Sequence, residues 1–232
     1  MSEASEKVLG IKHLPLFPLP LVLLPNELLP LHIFEPRYRQ MLKDVETERN
    51  LFGITHFNPP ESFIEKPEPG TVGCAAEVRE VQTLPDGRSN VLTIGIIRYR
   101  LLDYVDAGEP YLVGDVEFFE DVNEDTEVLN PLADKVFALF KRIAKAAHKL
   151  SGERGRFPDI PQTDPEQLSF LVTAAFNLEP ELKYQMLETD STVERFTRLR
   201  EILLQTVDKM EENAEIHKIA KTNGHSKKKI DI

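Results

Sequence analysis

The sequence holds one cysteine, Cys74. A single thiol excludes an internal disulfide and a cysteine-based zinc site. It suits a reducing compartment, and the expected localisation is cytoplasmic. The six histidines, at 13, 32, 56, 148, 217 and 225, form no H-x-x-x-H or similar pair, so no metal is expected. Basic charge is scarce: 28 Lys and Arg face 39 Asp and Glu, for a formal net charge of −11. Such a surface repels phosphate backbones, and nucleic acid is not an expected partner. The basic tail Lys227-Lys228-Lys229 is too small for a footprint. There is no G-x-x-x-x-G-K-[ST] phosphate loop, since "SGERGRF" lacks the lysine. "DVNED" at 121–125 starts like a calcium-binding loop. Thr126 then stands where glycine is needed, and Leu132 where a glutamate should close it. No cofactor is expected.

A proline-free apolar run is also missing from the N-terminal region. "LPLFPLPLVLLPNELLPLHIFEPRY", Leu14 to Tyr38, is almost wholly apolar as far as Phe34, yet prolines stand at 15, 18, 20, 25 and 30. A membrane-spanning helix needs about 20 residues with every backbone group bonded internally, and these prolines forbid it. Lys7 and Lys12 precede the run in the order of a signal peptide, but "MSEASE" is acidic and no small-residue cleavage site follows. No membrane partner is expected. X-Pro pairs favour extended backbone, and strands that carry proline sit at sheet edges or bulges. Kinked, crossing strands of a barrel would use this much leucine and still exclude a helix.

The 232 residues permit one large domain or two small ones. Residues 1–10 read as a mobile N-terminus. Pro36–Glu48 reads as a helix, with Tyr38, Met41, Leu42 and Val45 on one face. Residues 51–57 read as a buried strand, and the four prolines of 58–70 as a loop. Strands at 71–84 and 89–105 form a hairpin across "PDGR", with Gly95 marking a bulge or bend. Residues 110–120 give another strand. After an acidic linker at 121–131 the period becomes helical: one helix carries Leu132, Val136, Leu139, Phe140 and Ile143, and helices start at Asp164, Glu179 and Thr192. The last has a stripe of Val193, Phe196, Leu199, Leu203, Val207 and Met210, which reads as core. The tail at 219–232 reads as disordered.

Three fragments together resemble the N-terminal, substrate-binding domain of Lon proteases: the proline-rich opening, the hairpin "TVGCAAEVREVQTLPDGRSNVLTIGIIRYRLLDY", and "LEPELKYQMLETDSTVERFTRLREIL". The fragments are in order and cover roughly residues 11–210. The resemblance implies an α+β fold: an N-terminal PUA-like β-barrel with one inserted helix over 11–120, then a helical bundle over 132–218. A full Lon enzyme continues into an ATPase and a serine–lysine protease, so the resemblance is to the recognition part alone. It implies a non-catalytic, stand-alone module that binds polypeptide clients or a protein partner and is linked to protein quality control or proteolysis.

The candidate residues carry competing readings. Glu35, Pro36, Arg37, Tyr38, Gly95 and Arg98 fall in stretches that resemble the family, and the resemblance favours structural roles for them. Glu35 could instead join Arg98 and Arg100, which share one strand face, in an enzymatic or small-ligand cleft. The bland alternative pairs the two arginines with acids on neighbouring strands, such as Glu77 or Glu80. RNA binding through the barrel is a third reading, opposed by the net charge. Cys74 reads as a small core residue. Phe63 and Ile64, adjacent apolar residues in a proline-stiffened loop, are the candidate partner contact.

Overall fold

The computed structural model describes residues 2–58, 66–151, 161, 163–176 and 178–223. The elements in order are α1 (Glu3–Lys7), β1 (His13–Leu19), β2 (Leu28–Ile33), α2 (Pro36–Thr47), β3 (Leu51–His56), β4 (Val72–Thr83), β5 (Ser89–Val105), β6 (Leu112–Phe119), α3 (Thr126–Ser151), α4 (Pro165–Ala175), α5 (Pro180–Glu188) and α6 (Thr192–Asn223). The result is a mixed sheet with helices, an α+β chain. Two compact units divide it: Met1–Val122 with Thr173–Asp190, and Asn123–Val172 with Ser191–Ile232.

The six strands of the first unit follow the order β2-β5-β4-β3-β1-β6, and β6 also pairs with β5. That last pairing closes β5, β4, β3, β1 and β6 into a ring and leaves β2 outside it. β5 serves three partners because it is 17 residues long. One edge pairs with β4. The other takes β2 over residues 89–94 and β6 over 98–105.

The opening prolines fit this layout position by position. Pro15 is opposite Val113 of β6, before the pairing of β1 with β3 begins at Leu16. Pro18 is opposite Thr55 of β3, after the pairing with β6 has ended. Pro30 lies in β2, whose only partner among the described residues is β5. Each strand proline thus has one open edge, where its missing N–H leaves no ladder bond unmade.

At the junction on β5 the register with β4 shifts between Ala75 and Ala76, so that Gly95 and Ile97 are paired while Ile96 is bulged. Here the 22–27 segment crosses β5. Asn26 N–H donates to the Gly95 carbonyl at 2.8 Å, and Gly95 N–H donates to the Glu27 carbonyl at 2.9 Å. A Cβ on Gly95 would lie 2.1 Å from the Leu24 carbonyl oxygen. The core inside the ring includes Leu14, Leu16, Leu51, Ala75, Ile97, Tyr99 and Leu101. Tyr99 is fully buried and lies 2.6 Å, oxygen to oxygen, from the Thr55 hydroxyl. Cys74 is fully buried as well, and burial pushes its thiol pKa up to about 12, which leaves an inert core residue rather than a nucleophile.

Local assignments differ from the sequence reading at several points. Residues 3–7, expected to be mobile, form α1, capped by the Ser2 hydroxyl that accepts from Ser5 N–H. Lys7 of α1 pairs with Glu77 at 3.2 Å, and Val8 is buried in the core. The expected linker at 121–131 ends early, because α3 starts at Thr126 with Asp125 accepting from Glu127 N–H at 2.9 Å. Pro131 lies inside that helix. Finally, α5 belongs to the first unit rather than to the helical half. Tyr184 accepts a hydrogen bond from Val72 N–H at 3.0 Å, and Lys183 pairs with Glu27 at 2.7 Å.

In the second unit α3 packs on α6. Val136, Phe137, Phe140 and Ile143 are buried on α3, and Phe196, Leu199, Leu203 and Val207 on α6. Arg195 is fully buried beside them. Its Nε donates to the Ser169 hydroxyl at 2.9 Å, and its guanidinium lies over the Phe170 ring at 4.1 Å. Of the tail expected to be disordered at 219–232, residues 219–223 continue α6 as helix, and 224–232 lie outside the described residues.

Candidate functional site

Beyond the ring, β2, the first half of β5 and the second half of β4 form a three-stranded antiparallel ribbon. Its cross-strand rows are Leu28–Ile94–Glu77, Pro30–Leu92–Glu80 and His32–Asn90–Gln82 on one face. Of the alternate positions, Ile33, Ser89, Val91 and Thr93 are buried. Strand alternation therefore sends the first set outward. Two large apolar side chains stand in solvent along it. Leu28 is 58% exposed, and Phe34, just past the end of β2, is 59% exposed.

The outer face holds a groove of about 440 Å³, lined among others by Pro30, His32, Glu80, Gln82, Asn90 and Leu92. A polar ladder crosses it. His32 Nδ1 lies 2.8 Å from Asn90 Oδ1, and Asn90 Nδ2 donates to Gln82 Oε1 at 3.4 Å. The His32 and Phe34 rings stack at 6.2 Å. The arrangement offers apolar contact, a few amide groups and an open strand edge. It holds no paired acid and base, and among the described residues no cluster of His, Cys, Asp and Glu is placed to hold a metal. No helix of the described residues is long and apolar enough to cross a membrane.

The sequence candidates fall elsewhere. Glu35 stands at the start of α2, ion-paired with Arg37 at 2.9 Å. The Arg37 guanidinium lies over the Tyr38 ring at 4.5 Å, and that ring packs 4.1 Å from Phe17. Burial raises the Tyr38 pKa, with Arg37 opposing and Glu35 reinforcing the shift. Pro36 occupies the first turn of α2, where its missing N–H is harmless.

Arg98 does not reach Glu77 or Glu80 as expected from cross-strand neighbours. It is buried in an ion pair with Asp121. It also donates to the carbonyls of Leu187 at 3.2 Å and Thr189 at 2.6 Å, and lies 4.5 Å over the Phe119 ring. Glu77 pairs with Lys7 and Arg79 instead. Arg100 donates to the Gly70 carbonyl at 3.2 Å. With Arg98 enclosed and Glu35 held by Arg37, this structure gives no support to a cleft built from Arg98, Arg100 and Glu35.

Phe63 and Ile64 lie outside the described residues. The contribution of Leu28 and Phe34 was missed in the sequence. The available signal was Pro30, which marks β2 as an edge strand and so leaves its neighbours open to solvent.

Comparison with known proteins agrees with the architecture. Residues 13–205 match the family model of the ATP-dependent protease La (LON) substrate-binding domain. Lon protease 1 of Thermus thermophilus is 31% identical over 179 residues, covering 75% of this chain and 22% of the relative. Lon protease 2 of Herpetosiphon aurantiacus is 27% identical over 140 residues, covering 60% of this chain and 17% of the relative. The chain thus spans about a fifth of the length of these two relatives. A solved structure of the N-terminal domain of a Lon protease from the Mycobacterium avium complex shares the fold, with a TM-score of 0.62 at 19% identity over 83% of this chain and 98% of that one. The chain belongs to the Lon substrate-binding domain family.

Proposed function

We propose that this chain is a non-catalytic polypeptide-recognition module, with the strand ring acting as a PUA-like barrel and the helices of the second unit as a bundle. The observation that carries the reading is the exposure of the large apolar side chains Leu28 and Phe34 along β2, on a chain whose family is defined by a substrate-binding domain. A client segment would seat apolar side chains against Leu28, Pro30, Leu92 and Phe34. Addition of a long client strand is the weaker mode, because Pro30 removes a donor from the open edge. The acidic net charge favours apolar segments with neutral or basic flanks and disfavours RNA. Recognition of this kind fits a place in proteolysis or protein quality control, in the cytoplasm. Phe63 and Ile64 are proposed as a second contact on their sequence alone.

The test uses reduced, carbamidomethylated ribonuclease A, a permanently unfolded basic chain, with binding read by fluorescence anisotropy. Leu28→Ser and Phe34→Ser should each weaken binding about tenfold, the effect of partly burying one large apolar side chain. The melting temperature should not move, since both side chains are exposed. Phe63→Ser with Ile64→Ser should add a further loss. No cleavage of the probe and no ATP hydrolysis should accompany binding. Unchanged affinity in Leu28→Ser and Phe34→Ser would remove the ribbon from the account.

A further inference from the structure

Along the seam of α3 and α6 in the second unit runs a groove of about 300 Å³. Lys135, Ala138, Leu139 and Arg142 line it from α3, and Arg200 and Leu204 from α6. The spacings of three, four and seven residues put each set on one helix face. Leu204 is 49% exposed, a large apolar side chain left in solvent above the seam. The charged residues at this groove are all cations, on a chain whose formal net charge is −11. Among the described residues neither Lys135 nor Arg200 takes part in an ion pair. The acids next to them in sequence, Asp134 and Glu201, are not among the residues lining the groove.

We infer that this groove docks an acidic amphipathic helix of a partner protein. Charge complementarity selects the occupant. An apolar residue of the incoming helix would rest on Ala138, Leu139 and Leu204, while its carboxylates meet Lys135 and Arg200. A third helix laid in the seam of two packed helices meets the ordinary spacing of helix packing. A second copy of this chain docked through the same groove about a twofold axis would set these cations against their equivalents, so self-association here is disfavoured. The site lies on a different unit from the β2 ribbon and does not depend on the client-binding reading.

Two fluorescein-labelled 21-residue helical peptides test this, with the same leucine stripe but with glutamate or lysine flanking it. The acidic peptide should bind the intact protein at least tenfold more tightly than its lysine twin, and the preference should shrink between 50 and 300 mM salt. Lys135→Glu with Arg200→Glu should weaken the acidic peptide at least tenfold and strengthen the lysine twin. Leu204→Ala, at an exposed position, should weaken both peptides without lowering the melting temperature. The inference is overturned if neither peptide binds, if the twins bind equally, or if the charge reversal leaves the acidic peptide's affinity unchanged. It is also overturned if only phosphatidylserine–phosphatidylcholine vesicles bind in a manner sensitive to Lys135→Glu with Arg200→Glu.

Discussion

Replacing Arg98 with methionine is expected to destabilise the sheet unit by about 3–5 kcal/mol, the cost of breaking a buried ion pair by removing one partner. Arg98 and Asp121 are 1% and 5% exposed at their side chains, so the aspartate left behind would have little water to solvate it. The carbonyls of Leu187 and Thr189 would lose their guanidinium donor as well. Methionine approximates the aliphatic stem, so the loss reports on the charged head rather than on a cavity. Lysine should not rescue, because one ammonium cannot reproduce a fork that serves Asp121 and two carbonyls together. Adding Asp121→Asn to Arg98→Met should recover part of this loss, since the buried aspartate charge that faced the guanidinium is then removed as well. Denaturant unfolding of the three variants measures this cycle. A loss below about 1 kcal/mol in Arg98→Met would mean that the pair contributes no more than a surface salt bridge.

The second large effect is expected at Gly95. An alanine there would set Cβ 2.1 Å from the Leu24 carbonyl oxygen and 2.9 Å from its carbon. These are backbone atoms, so no side-chain rotation relieves the clash. The 22–27 segment would have to lift from β5 and strain the bonds of Asn26 and Glu27 to Gly95. Overpacking of this kind costs about 3 kcal/mol or more, or roughly 6–12 °C in the unfolding midpoint for a domain of this size. Gly10, where no atom would lie within 4 Å of a Cβ but φ is +79°, is the control. Alanine there should cost only the strain of a left-handed residue, about 1 kcal/mol. Equal midpoints for the two variants would contradict the close approach at Gly95.

Much of the fold was legible because local periodicity and turn chemistry agree with it. The four residues read as the buried face of α2, Tyr38, Met41, Leu42 and Val45, are the four buried ones. The hairpin across Asp86-Gly87 needs a positive φ at Gly87, and φ there is +79°. The prolines of β1 and β2 told of open edges before any pairing was known. What stayed hidden depends on contacts distant in sequence. Arg98 finds its acid 23 residues away and its carbonyls 89 and 91 residues away, beyond the reach of a cross-strand rule. The docking of α5 on the sheet unit rests on Lys183 and Tyr184 meeting residues over 100 positions earlier. The ribbon face stayed hidden for a related reason. Leu28 and Leu24 look alike in sequence, and only the absence or presence of a covering element leaves one 58% exposed and the other fully buried.

Hydrogen exchange of the intact chain, with and without saturating reduced, carbamidomethylated ribonuclease A, tests client recognition at the β2 ribbon most directly. Binding on its outer face and open edge should slow exchange across residues 28–34, with Pro30 silent for want of an amide, and leave α3 and α6 unchanged. Client binding with no added protection in residues 28–34, or with protection confined to other elements, would contradict the account.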